Sequence, residues 1–145
     1  MPRVLVLYYS KTGGTKKMAE AVAEGMKEAG VEVELKDKAT PEELAGFDAI
    51  VIGTATYNHN MVRGLQSFLE EVALKGIDLK GKIGAAFGSY GWSGEGPRLA
   101  LEVLKNKFEM DVLEPPLLIK YKPTAEGLKK CKEFGKKVAE KALKG

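Results

Sequence analysis

Six consecutive residues, from position 10 to position 15, have the side chains and the spacing of an anion-binding loop. The sequence there is SKTGGT, which places three hydroxyl groups and two glycines directly before an amphipathic segment. Backbone N–H groups at the start of a helix, together with the helix dipole, can bind an anion without a cationic side chain. The residues predicted to bind a phosphate group are Ser10, Lys11, Thr12, Gly13, Gly14 and Thr15.

Two common phosphate-binding patterns are absent from the chain. It contains no GxxxxGK[ST] segment, and Gly94 and Gly96 lack the third glycine of a GxGxxG turn. The alternative for residues 10–15 is a glycine-rich turn in which Thr15 is an ordinary helix N-cap.

Two further loops carry aromatic side chains that could cover a planar ring. They read TATYNHNM over residues 54–61 and GSYGWSGEG over residues 88–96. Tyr57 and Trp92 are the candidates for stacking; the alternatives are a core or interface position for Trp92 and a surface position for Tyr57. The polar side chains available for the edge of the ring are Asn58, Ser89 and Ser93. A phosphate site beside two aromatic loops predicts a mononucleotide with a large planar base.

The elements that position these loops alternate between strands and helices along the chain. The VEVEL segment alternates strictly, which is typical of an edge strand with one solvated face, whereas the other strands are almost continuously apolar. The predicted strands span residues 3–9, 31–35, 48–55, 82–88 and 117–121. The predicted helices begin at or next to Thr15, Thr40, Val62, Gly96 and Thr124. This alternation predicts a doubly wound α/β fold with a five-stranded parallel sheet and helices on both faces.

In such a sheet, ligands bind outside the carboxyl ends of the strands, where the strand order reverses. The three loops described above all follow strands, so they leave the sheet at the same edge. We therefore expect them to converge on one ligand.

Composition excludes several classes of protein. The 145 residues are expected to form one domain, residues 1–145, with a net charge of +3 and lysines interleaved with glutamates, so no nucleic-acid partner is predicted. No segment reaches the roughly 20 apolar residues of a membrane span, and no export signal is visible. The single cysteine, Cys131, is expected to be a buried thiol on the inner face of the last helix and fits a cytoplasmic location.

The chain resembles the flavodoxin family over nearly its whole length. SKTGGTKKMAEAVAEGM is similar to the flavodoxin phosphate loop and first helix, with the pattern (S/T)-x-T-G-x-T. TYNHNM and IGAAFGSYGWSGEG resemble in particular the flavodoxin domain of flavo-diiron proteins, also called A-type flavoproteins. The resemblance implies FMN as the cofactor, a strand order of 2-1-3-4-5 and a function in electron transfer.

Carried over by position, the resemblance puts the FMN phosphate on the loop of residues 10–15. It puts the isoalloxazine ring between the two aromatic loops. The residues that this assigns to the ring and its surroundings are Thr54, Ala55, Thr56, Tyr57, Asn58, Ser89, Tyr90, Gly91, Trp92, Ser93 and Gly94.

The chain also departs from these relatives. Flavo-diiron proteins need a second, iron-binding domain, whereas this chain has one histidine, His59, which is expected to be a solvated loop residue. Reduction of oxygen or nitric oxide by this chain alone is therefore not expected. Many flavodoxins have a glycine in the second loop whose peptide turns over when the flavin is reduced. No glycine lies between Thr54 and Met61, although Asn58 tolerates left-handed backbone better than most residues.

Three functional classes share this fold. An FMN electron carrier needs no catalytic acid, base or metal, and the sequence offers none. An FMN-dependent NAD(P)H:quinone reductase of the same superfamily is the alternative. A phosphoacceptor receiver domain would need acidic residues after the first and third strands, which end instead in Tyr9-Ser10 and Gly53-Thr54.

The loops are basic rather than acidic. Glu95 is the one acid among them and their first flanking residues, against the cations Lys11, Lys16, Lys17, Arg63 and Arg98. This predicts an acidic redox partner, such as a small iron–sulfur or rubredoxin-like carrier, and little accumulation of the flavin semiquinone. The protein is expected to be a monomer or a weak homodimer.

Overall fold

A computed structural model describes residues 1–9, 13–91 and 93–144. Its strands are β1 (Arg3–Tyr9), β2 (Glu32–Lys36), β3 (Ala49–Thr54), β4 (Thr56–Tyr57), β5 (Asn60–Met61), β6 (Ile83–Tyr90), β7 (Asp111–Val112) and β8 (Leu117–Lys120). Its α-helices are α1 (Gly14–Glu28), α2 (Arg63–Leu74), α3 (Glu95–Glu102) and α4 (Ala125–Lys144). A 3₁₀ helix spans Pro41–Gly46, and one π-helical turn, Val103–Lys107, extends α3.

The central sheet is parallel, with the strand order β2-β1-β3-β6-β7, and β8 also pairs with β6. Because β6 is the fourth long strand, this order is the predicted 2-1-3-4-5. The edge position of β2, expected from its alternating sequence, is confirmed. The doubly wound fold predicted from the sequence is therefore correct.

The fifth position of the sheet differs from the prediction, because two short strands share it. β7 pairs with Ile83 and Gly84 near the start of β6, whereas β8 pairs with Phe87–Tyr90 at its end. Pro115 and Pro116 lie between the two strands and have no N–H group to donate to a ladder. The sequence predicted β8 but not the two-residue β7, which is too short to show a period.

Two apolar cores cover the two faces of the sheet. In β1, Val4 and Val6 belong to the core under α1 and α4, while Leu5 and Leu7 belong to the core under α2 and α3. All four side chains have no exposed surface, as a parallel strand covered on both faces requires. Cys131 lies fully buried in the first core, as expected, and burial raises the pKa of its thiol to about 12.

Helices α1 and α4 approach each other closely at two glycines. A Cβ atom on Gly25 would overlap the carbonyl oxygen of Lys132, and one on Gly135 would overlap that of Val22. The contact fixes α4 against α1, and with it the segment between β8 and α4. Within the described residues, none of the helices has both the length and the apolar character needed to cross a bilayer.

Candidate functional site

The strands β1, β3, β6 and β8 end at one edge of the sheet, where a cavity of about 280 Å³ opens. Its lining residues come from four segments of the chain. They are Gly14, Ala55, Thr56, Tyr57, Ser89, Tyr90, Gly91, Tyr121 and Lys122. Seven of these nine were predicted to bind the cofactor, and the structure brings all three predicted loops together here.

Part of the predicted phosphate loop can be described at this edge. Gly13 has a left-handed backbone, with φ 86°, and its carbonyl accepts the first hydrogen bond of α1 from the Lys17 N–H at 3.1 Å. Gly13 is therefore the N-cap, and the alternative of Thr15 as an ordinary N-cap is wrong. Thr15 is buried in the first turn. The N–H groups of that turn provide the positive end of a helix dipole beside the cavity. Ser10, Lys11 and Thr12 lie outside the described residues.

The second loop is a β-hairpin, which the sequence did not predict. β4 pairs antiparallel with β5, and the two residues between them, Asn58 and His59, have φ of 51° and 60°. Left-handed backbone at both positions is the pattern of a type I′ turn. Asn58 therefore adopts the left-handed backbone that it was expected to tolerate.

Thr54 ties the start of that loop to its end. Its hydroxyl accepts the Val62 N–H at 3.0 Å and donates to the Ala55 carbonyl at 2.9 Å. Thr54 has no exposed surface and does not line the cavity. The other described residues that were predicted but do not line it are Gly13, Thr15, Asn58, Ser93 and Gly94.

The third loop is joined to the second by polar contacts. The Gly96 N–H donates to the Thr56 hydroxyl at 2.9 Å. A Cβ atom on Gly96 would overlap the Ala55 carbonyl oxygen, so this close approach requires glycine. Trp92, the predicted stacking residue of this loop, lies outside the described residues.

His59 and Glu95 add a second link between these loops. His59 Nδ1 lies 2.9 Å from Glu95 Oε2 and 3.3 Å from the Ser93 hydroxyl. The His59 side chain is 68% exposed, so the prediction of a solvated loop residue is correct, but the ring is also paired. Hydrogen bonds from Ser93 and His59 lower the pKa of Glu95 to about 2, which keeps its carboxyl group ionised.

Two cavity residues, Tyr121 and Lys122, were missed from the sequence. They follow β8 directly, at the same edge as the three predicted loops. The signal was present, since every loop after a strand of this sheet reaches that edge. The loop after β8 contains no glycine, unlike the first and third predicted loops.

A second cavity of about 280 Å³ lies beside the start of α1. It is lined by Tyr8, Tyr9, Gly13, Lys16 and Asp37. Burial, with a smaller contribution from Glu71, raises the pKa of Tyr9 to about 12, so its phenol stays neutral. A neutral phenol and the Lys16 ammonium group next to the helix N-terminus are compatible with an anion at this end of the site.

The hydrogen-bond donors and aromatic rings at this edge of the sheet suit the chemistry of FMN. A helix N-terminus opened by a left-handed glycine matches a phosphate group. The adjacent cavity carries the rings of Tyr57, Tyr90 and Tyr121 for a planar group.

Comparison with known proteins identifies the family of this chain. The family model of the flavodoxins matches residues 6–135. The chain is 34% identical over 139 residues to a flavodoxin of Clostridium beijerinckii, covering 92% of this chain and 97% of that protein. It is 38% identical over 144 residues to the type A flavoprotein fprA of Rhodobacter capsulatus, covering 94% of this chain but 32% of that protein. The chain thus spans about a third of the length of that larger relative.

Solved structures agree in fold. A flavodoxin from the domain Archaea superposes with a TM-score of 0.91 at 38% identity, covering 97% of this chain and 99% of that one. The rubredoxin oxygen:oxidoreductase of Desulfovibrio gigas gives a TM-score of 0.83 at 27% identity, covering 97% of this chain and 36% of that one. The resemblance to the flavodoxin family drawn from SKTGGT, TYNHNM and GSYGWSGEG is confirmed, and with it FMN as the cofactor. The chain belongs to the flavodoxin family, whose members bind FMN and transfer electrons.

Proposed function

We propose that this chain is a single-domain electron carrier whose FMN spans from the start of α1 to the aromatic cavity. The observation that carries the proposal is the position of Gly14. It stands in the first turn of α1 and also lines the cavity that Tyr57 and Tyr90 line. A phosphate site and a planar-ring site are therefore contiguous, as one mononucleotide requires.

The phosphate end would be held by backbone N–H groups of Gly13, Gly14 and Thr15 and by the Thr15 hydroxyl, together with Ser10, Lys11 and Thr12. Hydrogen bonds to a charged group are worth roughly 1.5–3 kcal/mol each, so several of them would bind a phosphate dianion firmly. FMN should consequently bind far more tightly than riboflavin, which lacks the phosphate.

The ring would lie between the hairpin of β4 and β5 and the loop that follows β6. Thr56, Tyr57 and Asn58 would contact it from one side, and Tyr90, Gly91 and Trp92 from the other. Ala55, Ser89, Ser93 and Gly94 would support these contacts. The Thr56–Gly96 hydrogen bond holds the two loops at a fixed separation, which favours rapid transfer with little rearrangement.

Bound FMN supplies the one- and two-electron chemistry, and the chain contributes binding, orientation and charge. A ring bound in this cavity at the edge of the sheet would be placed for transfer to another protein. The alternative, an FMN-dependent NAD(P)H:quinone reductase, would also need a nicotinamide or quinone site over that ring.

The partner we propose is a small acidic carrier, of the iron–sulfur or rubredoxin-like kind. Basic side chains outnumber acidic ones at this edge of the sheet. The basic residues are Lys16, Lys17, Arg63, Arg98, Lys120 and Lys122, and the acidic residues are Asp37, Glu95 and Glu126. The Glu95 carboxylate is already paired with His59. Rubredoxin also appears in the name of the related Desulfovibrio gigas oxidoreductase.

We further propose a cytoplasmic location, supported by the free thiol of Cys131, and a monomer or weak homodimer.

Titration of the apoprotein with FMN and riboflavin tests the cofactor site. Thr15→Val should weaken FMN binding and barely change riboflavin binding, because the substitution acts at the phosphate end. Equal affinity of the wild-type protein for both flavins would contradict the phosphate site.

Addition of NADPH under nitrogen tests whether the protein is an electron carrier. A flavin spectrum that stays oxidised supports the carrier, whereas rapid bleaching supports the reductase.

A further inference from the structure

The segment between β8 and α4 forms a fourth side of the cavity. Tyr121 and Lys122 line it together with Thr56 and Tyr57 of the hairpin loop. Tyr121 is 64% exposed, which is unusual for an aromatic residue on an otherwise well-packed domain.

The backbone of Tyr121 is held in an unfavourable conformation. Its φ is 60°, a left-handed value that costs a non-glycine residue free energy. Its N–H donates to the Tyr90 carbonyl at 2.6 Å, which links it to the third loop. Pro123, two residues later, packs beside Gly14 at the start of α1. The segment is thus fixed to both the ring end and the phosphate end of the site.

The Tyr121 ring lies at the cavity, next to Gly91. Lys120 Nζ lies 5.3 Å from the centroid of the ring. An exposed cation–π contact of this kind contributes little free energy. The segment therefore presents an aromatic ring at the cavity, in a position to cover a planar ligand.

We propose that Tyr121 is a cofactor-binding residue that covers the planar ring of FMN from this fourth loop, with Lys122 beside it. The inference rests on the proposed function and adds to it an aromatic residue outside the three loops. It concerns the ring end of the site. Changes at Tyr121 should therefore weaken FMN and riboflavin alike, whereas changes at Thr15 should weaken FMN alone.

Tyr121→Gly tests the proposal, because it removes the ring and relaxes the left-handed backbone together. Its apoprotein should have an unchanged or higher Tm, while its affinity for both FMN and riboflavin should fall on the order of tenfold, the range of aromatic stacking on a base. Tyr121→Phe should keep wild-type affinity. Tyr121→Asn, which tolerates left-handed backbone and also lacks the ring, serves if the glycine variant folds poorly.

Glu109→Gly is the matched control. Glu109 is also exposed and left-handed, with φ 54°, and its carbonyl accepts from Gly81 at the opposite edge of the sheet. This variant should raise Tm without changing flavin affinity.

Wild-type affinity for both flavins in Tyr121→Gly and Tyr121→Asn would overturn the proposal. So would unchanged affinity with slower transfer to an acidic carrier, which would make Tyr121 a partner contact. Both results leave FMN binding by the wild-type protein intact. Failure of the wild-type protein to bind FMN would instead overturn the proposed function.

Discussion

His59 Nδ1 lies 2.9 Å from Glu95 Oε2, so the turn of the β4–β5 hairpin is tied to the first residue of α3. The two residues are 36 positions apart in the chain. Together with the hydrogen bond from the Gly96 N–H to Thr56, this contact makes one unit of the two loops assigned to the flavin ring. The geometry of the ring site therefore depends on a pair of side chains that does not line the cavity.

A double-mutant cycle measures that dependence. His59→Gly removes the imidazole while allowing the left-handed backbone, and Glu95→Gln removes the charge while keeping an acceptor oxygen. Each single change should weaken FMN binding by a few-fold, and the double variant should lose less than the product of the two single effects. Fully multiplicative losses in FMN titrations would show that the pair does not act as a unit.

The ionised state of Glu95 gives a pH dependence. Its folded-state pKa of about 2 is below the ordinary value of 4.5, so its stabilisation is complete above about pH 4.5 and is lost as the pH falls toward 2. The free energy of unfolding of wild type relative to Glu95→Gln should decrease as the pH falls through this interval. Denaturant titrations of both proteins from pH 5 to pH 2 check this. A difference that is the same at pH 5 and at pH 2 would contradict it.

Two glycines of α4 give opposite stability predictions. Gly135→Ala places a methyl group against the Val22 carbonyl, which backbone packing prevents from moving, and should destabilise by roughly 1–3 kcal/mol. Gly127→Ala, in the same helix, meets Ile119 Cγ2 at 3.5 Å, an ordinary contact. It should stabilise by about 0.5–1 kcal/mol because alanine favours the helix. Urea denaturation of the two variants measures both, and equal effects would be inconsistent with the α1–α4 contact described.

Sequence patterns predicted the features that depend on local periodicity and spacing. The buried strands, the edge strand β2 and the glycine-rich start of α1 are examples. The hairpin turn at Asn58 and His59 was missed because its usual signal is asparagine followed by glycine. The His59–Glu95 contact joins distant positions and becomes visible only when β4 and α3 are placed side by side. Tyr121 lines the cavity and has a left-handed backbone. Because that position is not a glycine, no signal in the sequence indicated this conformation.

The turn at Asn58 and His59 should also affect the reduction of bound flavin. Reversing its central peptide would take Asn58 to φ about +60° and ψ about −120°, a region that glycine alone occupies readily. We therefore expect little of the one-electron-reduced flavin to accumulate during reduction. Asn58→Gly should increase it, whereas Asn58→Asp, with the same backbone limits, should not. Spectroelectrochemical titration distinguishes them, and abundant one-electron-reduced flavin in the wild-type protein would contradict the expectation.

The basic edge of the sheet should make association with an acidic carrier depend on salt. Arg63 and Arg98 lie in the first turns of α2 and α3, on the same edge as the cavity, and both are exposed. At physiological ionic strength their fields extend over a Debye length of about 8 Å, so they act on a partner during its approach rather than at long range. Electron transfer to an acidic rubredoxin-like carrier, measured by stopped flow, should slow as the salt concentration rises.

Replacing Arg63 and Arg98 by glutamine should lower the rate of transfer and flatten its salt dependence. Lys80→Gln, a charge change at the opposite edge, should leave both unchanged. Rates that are independent of ionic strength, or an equal response to Lys80→Gln, would show that this edge does not direct the encounter.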